Sequence, residues 1–85
     1  MRKLIYTEDK NTEHIIDLTN TLITSVDGEG LKIILTLVGG ITVHIKAKDK
    51  DTFSYLYKSL VFGTDDNIKI SYEVVNVRLG GLKLG

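Results

Sequence analysis

The chain contains no cysteine and no proline. The absence of cysteine excludes disulfides, thiolate catalysis and cysteine-based zinc sites, and it is typical of a protein from a reducing cytosol. The absence of proline means that none of the turns depends on that residue. Net charge is also absent, because 11 basic residues balance 11 acidic ones. The basic excess that usually marks non-specific nucleic-acid or anionic-membrane binding is therefore missing.

Long apolar runs are absent as well. The N-terminal stretch has two positive charges but only a three-residue apolar run, Leu4–Tyr6, whereas a signal peptide needs an apolar run of about 7–15 residues. No run approaches the roughly 18 apolar residues of a membrane span. We therefore expect a cytoplasmic protein without a membrane segment. Its 85 residues predict a single domain, 1–85, that buries about 60–65% of its unfolded surface.

The strongest structural signal is a predicted hairpin formed by Leu31–Leu37 and Ile41–Lys46 around Val38-Gly39-Gly40. Glycine reaches the positive φ that tight turns need, and both flanking runs alternate between apolar and polar residues. A three-residue loop would pair Leu37 with Ile41 and give one wholly apolar face, which a two-residue loop would not. We expect a type I turn closed by a left-handed glycine at Gly40.

A second turn precedes the hairpin. A four-residue loop at Asp27–Gly30 would pair Val26 with Leu31 and Leu22 with Leu35. The two turns together predict one continuous core face, made of Leu22, Val26, Leu31, Ile33, Leu35, Leu37, Ile41, Val43 and Ile45.

One amphipathic helix is predicted over Asp51–Phe62. Its apolar residues recur at i, i+3, i+4 and i+7, as one face of a helix requires; they are Phe53, Leu56, Tyr57 and Leu60. Asp49 and Asp51 are both suitable N-caps, and Gly63 lies where a helix-terminating glycine belongs. We expect an α+β fold, in which an antiparallel meander of about five strands carries this helix on one face.

The segments outside the hairpin and the helix are less regular. Further strands are predicted at Met1–Thr7, Glu13–Thr19 and Ile68–Tyr72. Val75, Val77 and Leu79 alternate out of phase with Ile68, Ile70 and Tyr72, which predicts a β-bulge or a bend at Glu73-Val74. The chain then ends in a glycine-rich tail, Gly80–Gly85.

No catalytic or metal-binding motif is visible in the sequence. His14 and His44 are the only histidines, and they lack the spacing of zinc ligands even with Glu13, Asp17 or Glu73 as partners. No serine lies in a nucleophile motif, and Ser59 is predicted on the exposed side of the helix. We expect no enzyme, no metal and no cofactor.

The sheet face opposite the core is where we expect function. It would combine Ile23, Ile34 and Val38 with Lys32, His44 and Lys46, and Ile23 and Ile34 would be cross-strand neighbours. An apolar patch with a basic rim on a small protein is typical of an oligomer or partner interface. Two other interpretations remain open: an ordinary solvated face, and a sheet that closes into a small barrel.

Nucleic-acid binding through the same face is the alternative function. Lys32, Lys46, Lys69 and Arg78 would all project from it, while the acidic residues concentrate in loops. Sheet-based readers of single strands display aromatic side chains for base stacking. Here Phe53, Tyr57 and Phe62 belong to the helix and Tyr72 is in phase with core positions, whereas Tyr6 and Tyr55 are isolated.

No segment matches a family motif residue by residue. In size and style, the hairpin followed by a capped helix is similar to many short bacterial and phage-encoded proteins, a likeness that implies an accessory or inhibitor protein. The expected function is a non-enzymatic protein–protein interaction module that self-associates.

Overall fold

The computed structural model describes residues 2–63 and 65–80, and in these residues the chain forms seven β-strands and one α-helix. The elements are β1 (Lys3–Thr7), β2 (Glu13–Asp17), β3 (Leu22–Asp27), β4 (Lys32–Thr36), β5 (Thr42–Ala47), α1 (Lys50–Val61), β6 (Asn67–Ser71) and β7 (Val75–Gly80). The predicted α+β class with one packed helix is confirmed, with seven strands instead of about five. Met1 of the first predicted strand and residues 81–85 of the glycine-rich tail lie outside the described residues.

The strands form two sheets, ordered β2-β1-β6 and β3-β4-β5-β7. Every neighbouring pair is antiparallel except β1 and β6, which are parallel. Helix α1 contacts β5 and β6, one strand from each sheet. The core lies between these layers and consists of Leu4, Leu18, Ile33, Leu35, Val43, Ile45, Leu56, Leu60, Ile68, Ile70 and Val75.

The β4–β5 hairpin has the predicted register. Ile33 pairs with Ile45 and Leu35 with Val43, and all four side chains are fully buried. The three-residue loop closes where the Leu37 amide donates to the Ile41 carbonyl at 2.8 Å. Gly40 has the expected positive φ, but Gly39 also has φ +97°. Since a type I turn needs negative φ at both central residues, the predicted turn type is wrong.

The β3–β4 turn forms one residue later than predicted. Asp27 pairs with Lys32, so the four-residue loop is Gly28–Leu31 instead of Asp27–Gly30. The Asp27 side chain fixes this position, because its Oδ1 accepts from the amides of Glu29 at 3.1 Å and Gly30 at 2.9 Å. Leu31, predicted as a core strand residue, lies in the turn at φ +58° instead.

A β-bulge at Thr24 changes which β3 side chains face the core. The register shifts between Ile23 and Ser25, so that Ile23 lies opposite Leu35 and Ser25 lies opposite Ile34. Ile23 and Ile34 are therefore on opposite faces of the sheet, and their predicted contact is wrong. The Thr24 hydroxyl donates to the Ile34 carbonyl at 3.3 Å, a contact with the partner strand that holds the bulge.

Several predicted core residues lie at the margin of the core. Leu22 pairs with Thr36 on the outer face and is 68% exposed. Val26 pairs with the buried Ile33 but is 40% exposed, and Ile41, just before β5, is 43% exposed.

Helix α1 begins and ends as the sequence predicts, within one residue. The Asp49 side chain caps the N-terminus by accepting from the Thr52 amide at 2.7 Å. At the other end, the Phe62 amide donates to the Lys58 carbonyl at 3.1 Å, and Gly63 follows with φ +67°. Leu56 and Leu60 supply the fully buried part of the predicted apolar face.

Ser59 is only 1% exposed, so its predicted position on the exposed side of the helix is wrong. Its hydroxyl donates to the Asp65 carboxylate at 3.3 Å, and its backbone carbonyl accepts from the Arg2 guanidinium. Arg2 comes from the start of the chain and Asp65 from the segment just after the helix, and both contact this residue. Helical spacing alone therefore could not reveal its burial.

The change of phase near Glu73 is a bend, one of the two predicted forms. The chain turns at Tyr72–Val74, where the Val74 amide donates to the Ser71 carbonyl at 3.1 Å. The strands on either side belong to different sheets, β6 beside β1 and β7 beside β5. Tyr72 consequently sits in the turn and is exposed, so its predicted phase with the core is wrong.

Candidate functional site

Four of the six predicted interface residues lie together on the outer side of the four-stranded sheet. Lys32 pairs with Lys46 and Ile34 with His44, and paired side chains share a face. Ile23 faces the other side because of the bulge, and Val38 lies in the hairpin loop, 75% exposed.

Strand β7 extends this surface. His44 pairs with Arg78 and Lys46 with Asn76, which brings two further polar side chains beside the predicted ones. We call this surface the basic face and define it by Lys32, Ile34, His44, Lys46, Asn76 and Arg78. Sequence analysis included Arg78 in this surface because of its charge alone. It could not place Arg78 beside His44, because the pairing of β7 with β5 joins segments about thirty residues apart.

Like charges stand opposite each other on the basic face. Lys32 lies directly across from Lys46, an arrangement that destabilises a sheet. Within residues 2–63 and 65–80, no carboxylate lies within 4 Å of the charged groups of Lys32, Lys46 or Arg78. Asp27 pairs with Lys32 in register, but its Oδ1 accepts the two turn amides instead. Asp27 also lines the groove that crosses this face, so the three cations share the face with one nearby carboxylate that none of them contacts.

A shallow groove of about 400 Å³ crosses the basic face. Its lining includes Lys32, Lys46 and Arg78 as well as the His44 ring. The Nε2 atom of His44 lies 3.1 Å from the Thr42 hydroxyl, and its buried Nδ1 has no hydrogen-bond partner among the described residues. Apart from the imidazole, no aromatic ring lines the groove.

Lys69 does not belong to the basic face. It lies on β6 in the other sheet, opposite Ile5, and points to solvent between the buried Ile68 and Ile70. The expected cluster of four cations therefore contains three.

A second groove, of about 350 Å³, opens between the two sheets at the hairpin end of the molecule. Most of its lining is aliphatic. We call it the apolar groove; it is lined by Ile15, Ile16, Leu37, Ile41, Val43, Val77 and Leu79, together with Tyr6, Glu8 and His14. Ile15 is 64% exposed and Leu79 is 71% exposed, so this rim presents much more apolar surface than the predicted face.

Val38 lies close to the apolar groove. A neighbouring depression is lined by Val38 together with Ile15, Ile16 and Leu37, three residues that also line the apolar groove. The exposed aliphatic surface is thus continuous from the hairpin loop to the end of β7. Sequence reasoning placed Val38 on the wrong face, because loop residues follow no strand alternation.

The polar wall of the apolar groove is a Glu8–His14 pair. The His14 Nε2 lies 3.1 Å from the Glu8 carboxylate, and the ring stacks on Tyr6 with centroids 6.1 Å apart. Burial raises the pKa of the Tyr6 hydroxyl, and the nearby Glu8 charge raises it further. Sequence analysis weighed Glu13, Asp17 and Glu73 as acidic partners of the histidines. Glu8 was predicted to lie in the loop between the first two strands, but its contact with His14 was not predicted.

Few titratable side chains line the apolar groove. No group of three His, Cys, Asp or Glu side chains among the described residues could hold a metal ion. No nucleophilic side chain other than the Tyr6 phenol lines the apolar groove beside the Glu8–His14 pair. Across the part of the chain that the structure describes, no helix has the length and apolar character needed to cross a bilayer.

The chain matches no known protein family, and neither the curated proteins nor the solved structures contain a significant match to it.

Proposed function

We propose that the protein is a non-enzymatic interaction module that self-associates through the apolar groove. The proposal rests on the exposed aliphatic rim formed by Ile15, Val38, Ile41 and Leu79. Such a contiguous apolar surface is costly in water and is typical of a protein–protein contact.

A second copy of the chain is the occupant that the charges favour. A two-fold dimer brings the same surface of both subunits together. On the basic face this would place Lys32, Lys46 and Arg78 against the cations of the partner copy, and like-charge contacts of this kind are costly. Among the described residues, the lining of the apolar groove carries no lysine or arginine, and its carboxylate, Glu8, lies 3.1 Å from the His14 ring, so two copies can meet there with less repulsion than on the basic face.

The test compares two exposed leucines on edge strands. Leu79 (71% exposed) lies on the groove rim, whereas Leu22 (68% exposed) lies on the outer face of β3 and lines neither groove. Light scattering on a sizing column, over a range of concentrations, should give an oligomer for the wild type. Leu79→Glu should give a monomer, because a charge would be buried in the interface, and Leu22→Glu should remain oligomeric.

Both variants change exposed side chains, so circular dichroism should show unchanged folding. A wild type that stays monomeric at all concentrations would refute self-association. Dissociation by Leu22→Glu but not by Leu79→Glu would move the interface to the β3 edge and would contradict the groove assignment.

A further inference from the structure

The geometry points to a second binding site that is independent of self-association: the basic face binds the phosphate backbone of a nucleic-acid strand. Lys32, Lys46 and Arg78 contact phosphate oxygens, and the face lies on the opposite side of the four-stranded sheet from the apolar groove. A second copy can therefore occupy the apolar groove while a nucleic-acid strand occupies the basic face.

The first argument is the arrangement of charge. Lys32 faces Lys46, and Arg78 lies opposite the His44 imidazole, so none of the three cations has a carboxylate as its cross-strand partner on β5 or β7. The Lys32–Lys46 pair weakens the sheet, and local conflicts with folding rules are expected at functional sites. A bound polyanion would turn this repulsion into attraction, although the net charge of the whole chain is zero.

The second argument is the composition of the face. A protein–protein interface has an apolar centre with aromatic or aliphatic anchors, whereas nucleic-acid interfaces are polar and strongly positive. The only aliphatic member of the basic face is Ile34, which is partly buried, and the remaining members are cationic or hydrogen-bonding. This composition favours a nucleic acid over an acidic protein.

The third argument concerns what the face recognises. β4, β5 and β7 are successive neighbours, and Arg78 lies two residues along β7 from the position level with Lys32, so the two residues are about 12 Å apart. This span reaches more than one phosphate of a strand. Phe53 stacks on Tyr57, and Tyr57 meets Phe62 edge to face, so these rings pack along the helix. Among the described residues, no Phe or Tyr side chain lines the groove of the basic face. Recognition is therefore of the backbone, without base stacking and without sequence preference.

The experiment measures fluorescence anisotropy of short labelled single-stranded DNA, single-stranded RNA and duplex DNA at increasing salt. We expect binding to all three with dissociation constants of about 10⁻⁴–10⁻⁶ M, typical of non-specific contacts. Three phosphate contacts predict that log K falls against log salt with a slope of about −2 for single strands. Lys46→Gln and Arg78→Gln should each weaken binding and reduce the slope by about one third.

Lys69→Gln is the matched control, because it removes an exposed cation from the other sheet. Its affinity and slope should equal those of the wild type. An equal loss with Lys69→Gln would show that binding follows total charge and would overturn the site. Absence of binding at low salt, or binding that salt does not weaken, would also overturn the proposal.

Competition with free nucleotide and inorganic phosphate distinguishes a strand site from a small-ligand site. The labelled strands should resist displacement by either compound at equal phosphate concentration, because only a strand reaches all three cations together. Equal displacement would mean that the groove holds a single phosphate ester, which would overturn the backbone assignment. The Leu79→Glu variant should bind the labelled strands through its basic face as the wild type does. Failure of self-association and failure of this proposal therefore remain distinguishable.

Discussion

At the scale of single residues, Gly39 and Gly28 differ in backbone conformation but not in available space. A β-carbon added to either residue would meet nothing within 4 Å. Gly39 has φ +97°, whereas Gly28 does not have a positive φ. Substitution by alanine therefore separates backbone strain from steric collision.

We predict that Gly39→Ala lowers the free energy of unfolding by about 1–2 kcal/mol, because an L-residue is strained at positive φ. Gly28→Ala should be neutral or stabilising by up to about 1 kcal/mol, since it only reduces the freedom of the unfolded chain. Urea denaturation of both variants measures the two effects. Equal losses in the two variants would mean that strain at Gly39 is not the cause.

Other features of single residues depend on contacts with residues outside their own strand or helix. The sequence predicts the buried pairs of the β4–β5 hairpin because alternation and loop length act locally. It does not predict the burial of Ser59, which depends on Arg2 and Asp65, nor the contact of His14 with Glu8. The predictable part of a residue's environment is thus the part set by its own strand or helix.

At the scale of elements, helix α1 illustrates how far local signals reach. Its cap and its terminal glycine lie where the sequence puts them, because both act within one turn of the helix. The β3–β4 turn is displaced by one residue, because the Asp27 side chain binds the amides of the loop and a bulge at Thr24 adjusts the strand. Composition alone showed a turn but not which residues close it.

The N-cap of α1 predicts a dependence of stability on pH. The hydrogen bond from the Thr52 amide, followed by that from the Thr52 side chain, holds the pKa of Asp49 below its usual 3.8. Because the folded state favours the ionised form, the stabilisation is fully present well above pH 3.8. It is lost as the pH falls below 3.8 and passes the lower folded-state value.

Asp49→Asn is the comparison that isolates this effect, since asparagine also caps helices but does not titrate. Its melting temperature should lie below that of the wild type at pH 6, because the negative charge at the helix N-terminus is missing. The difference should shrink as the pH falls below 3.8. Asp9 and Asp17 also have lowered pKa values, but they are common to both proteins. A difference that does not change with pH would contradict the role of the Asp49 charge.

At the scale of the whole molecule, the sequence predicts the class of fold but not its division into two sheets. The parallel pairing of β1 with β6 joins Lys3 to Asn67, and the pairing of β7 with β5 joins Val77 to Ile45. Neither pair of strands is connected by a short turn, so loop length could not be used to predict either pairing. The apolar groove and the Arg78 side of the basic face both depend on these pairings. Sequence analysis therefore supplied four residues of the basic face by register and Arg78 by its charge alone, and it misplaced the apolar surface.

Both surfaces lower the stability of the isolated subunit, for different reasons. The apolar groove leaves aliphatic side chains in water until a second copy covers them, and the basic face keeps like charges together until a polyanion arrives. If both are binding surfaces, the isolated subunit is less stable than its fold allows. A substitution that abolishes nucleic-acid binding should then stabilise the free protein.

Lys46→Glu tests this relation, because it places a carboxylate directly opposite Lys32 and beside Arg78. We predict an increase in unfolding free energy of about 0.2–1 kcal/mol in low salt, together with loss of nucleic-acid binding. High salt should narrow the gain, since it screens exposed charges. Lys69→Glu, which lies opposite Ile5, should change neither property. Urea denaturation at two salt concentrations measures the gain, and a less stable Lys46→Glu protein would mean that the cations of the basic face do not repel one another.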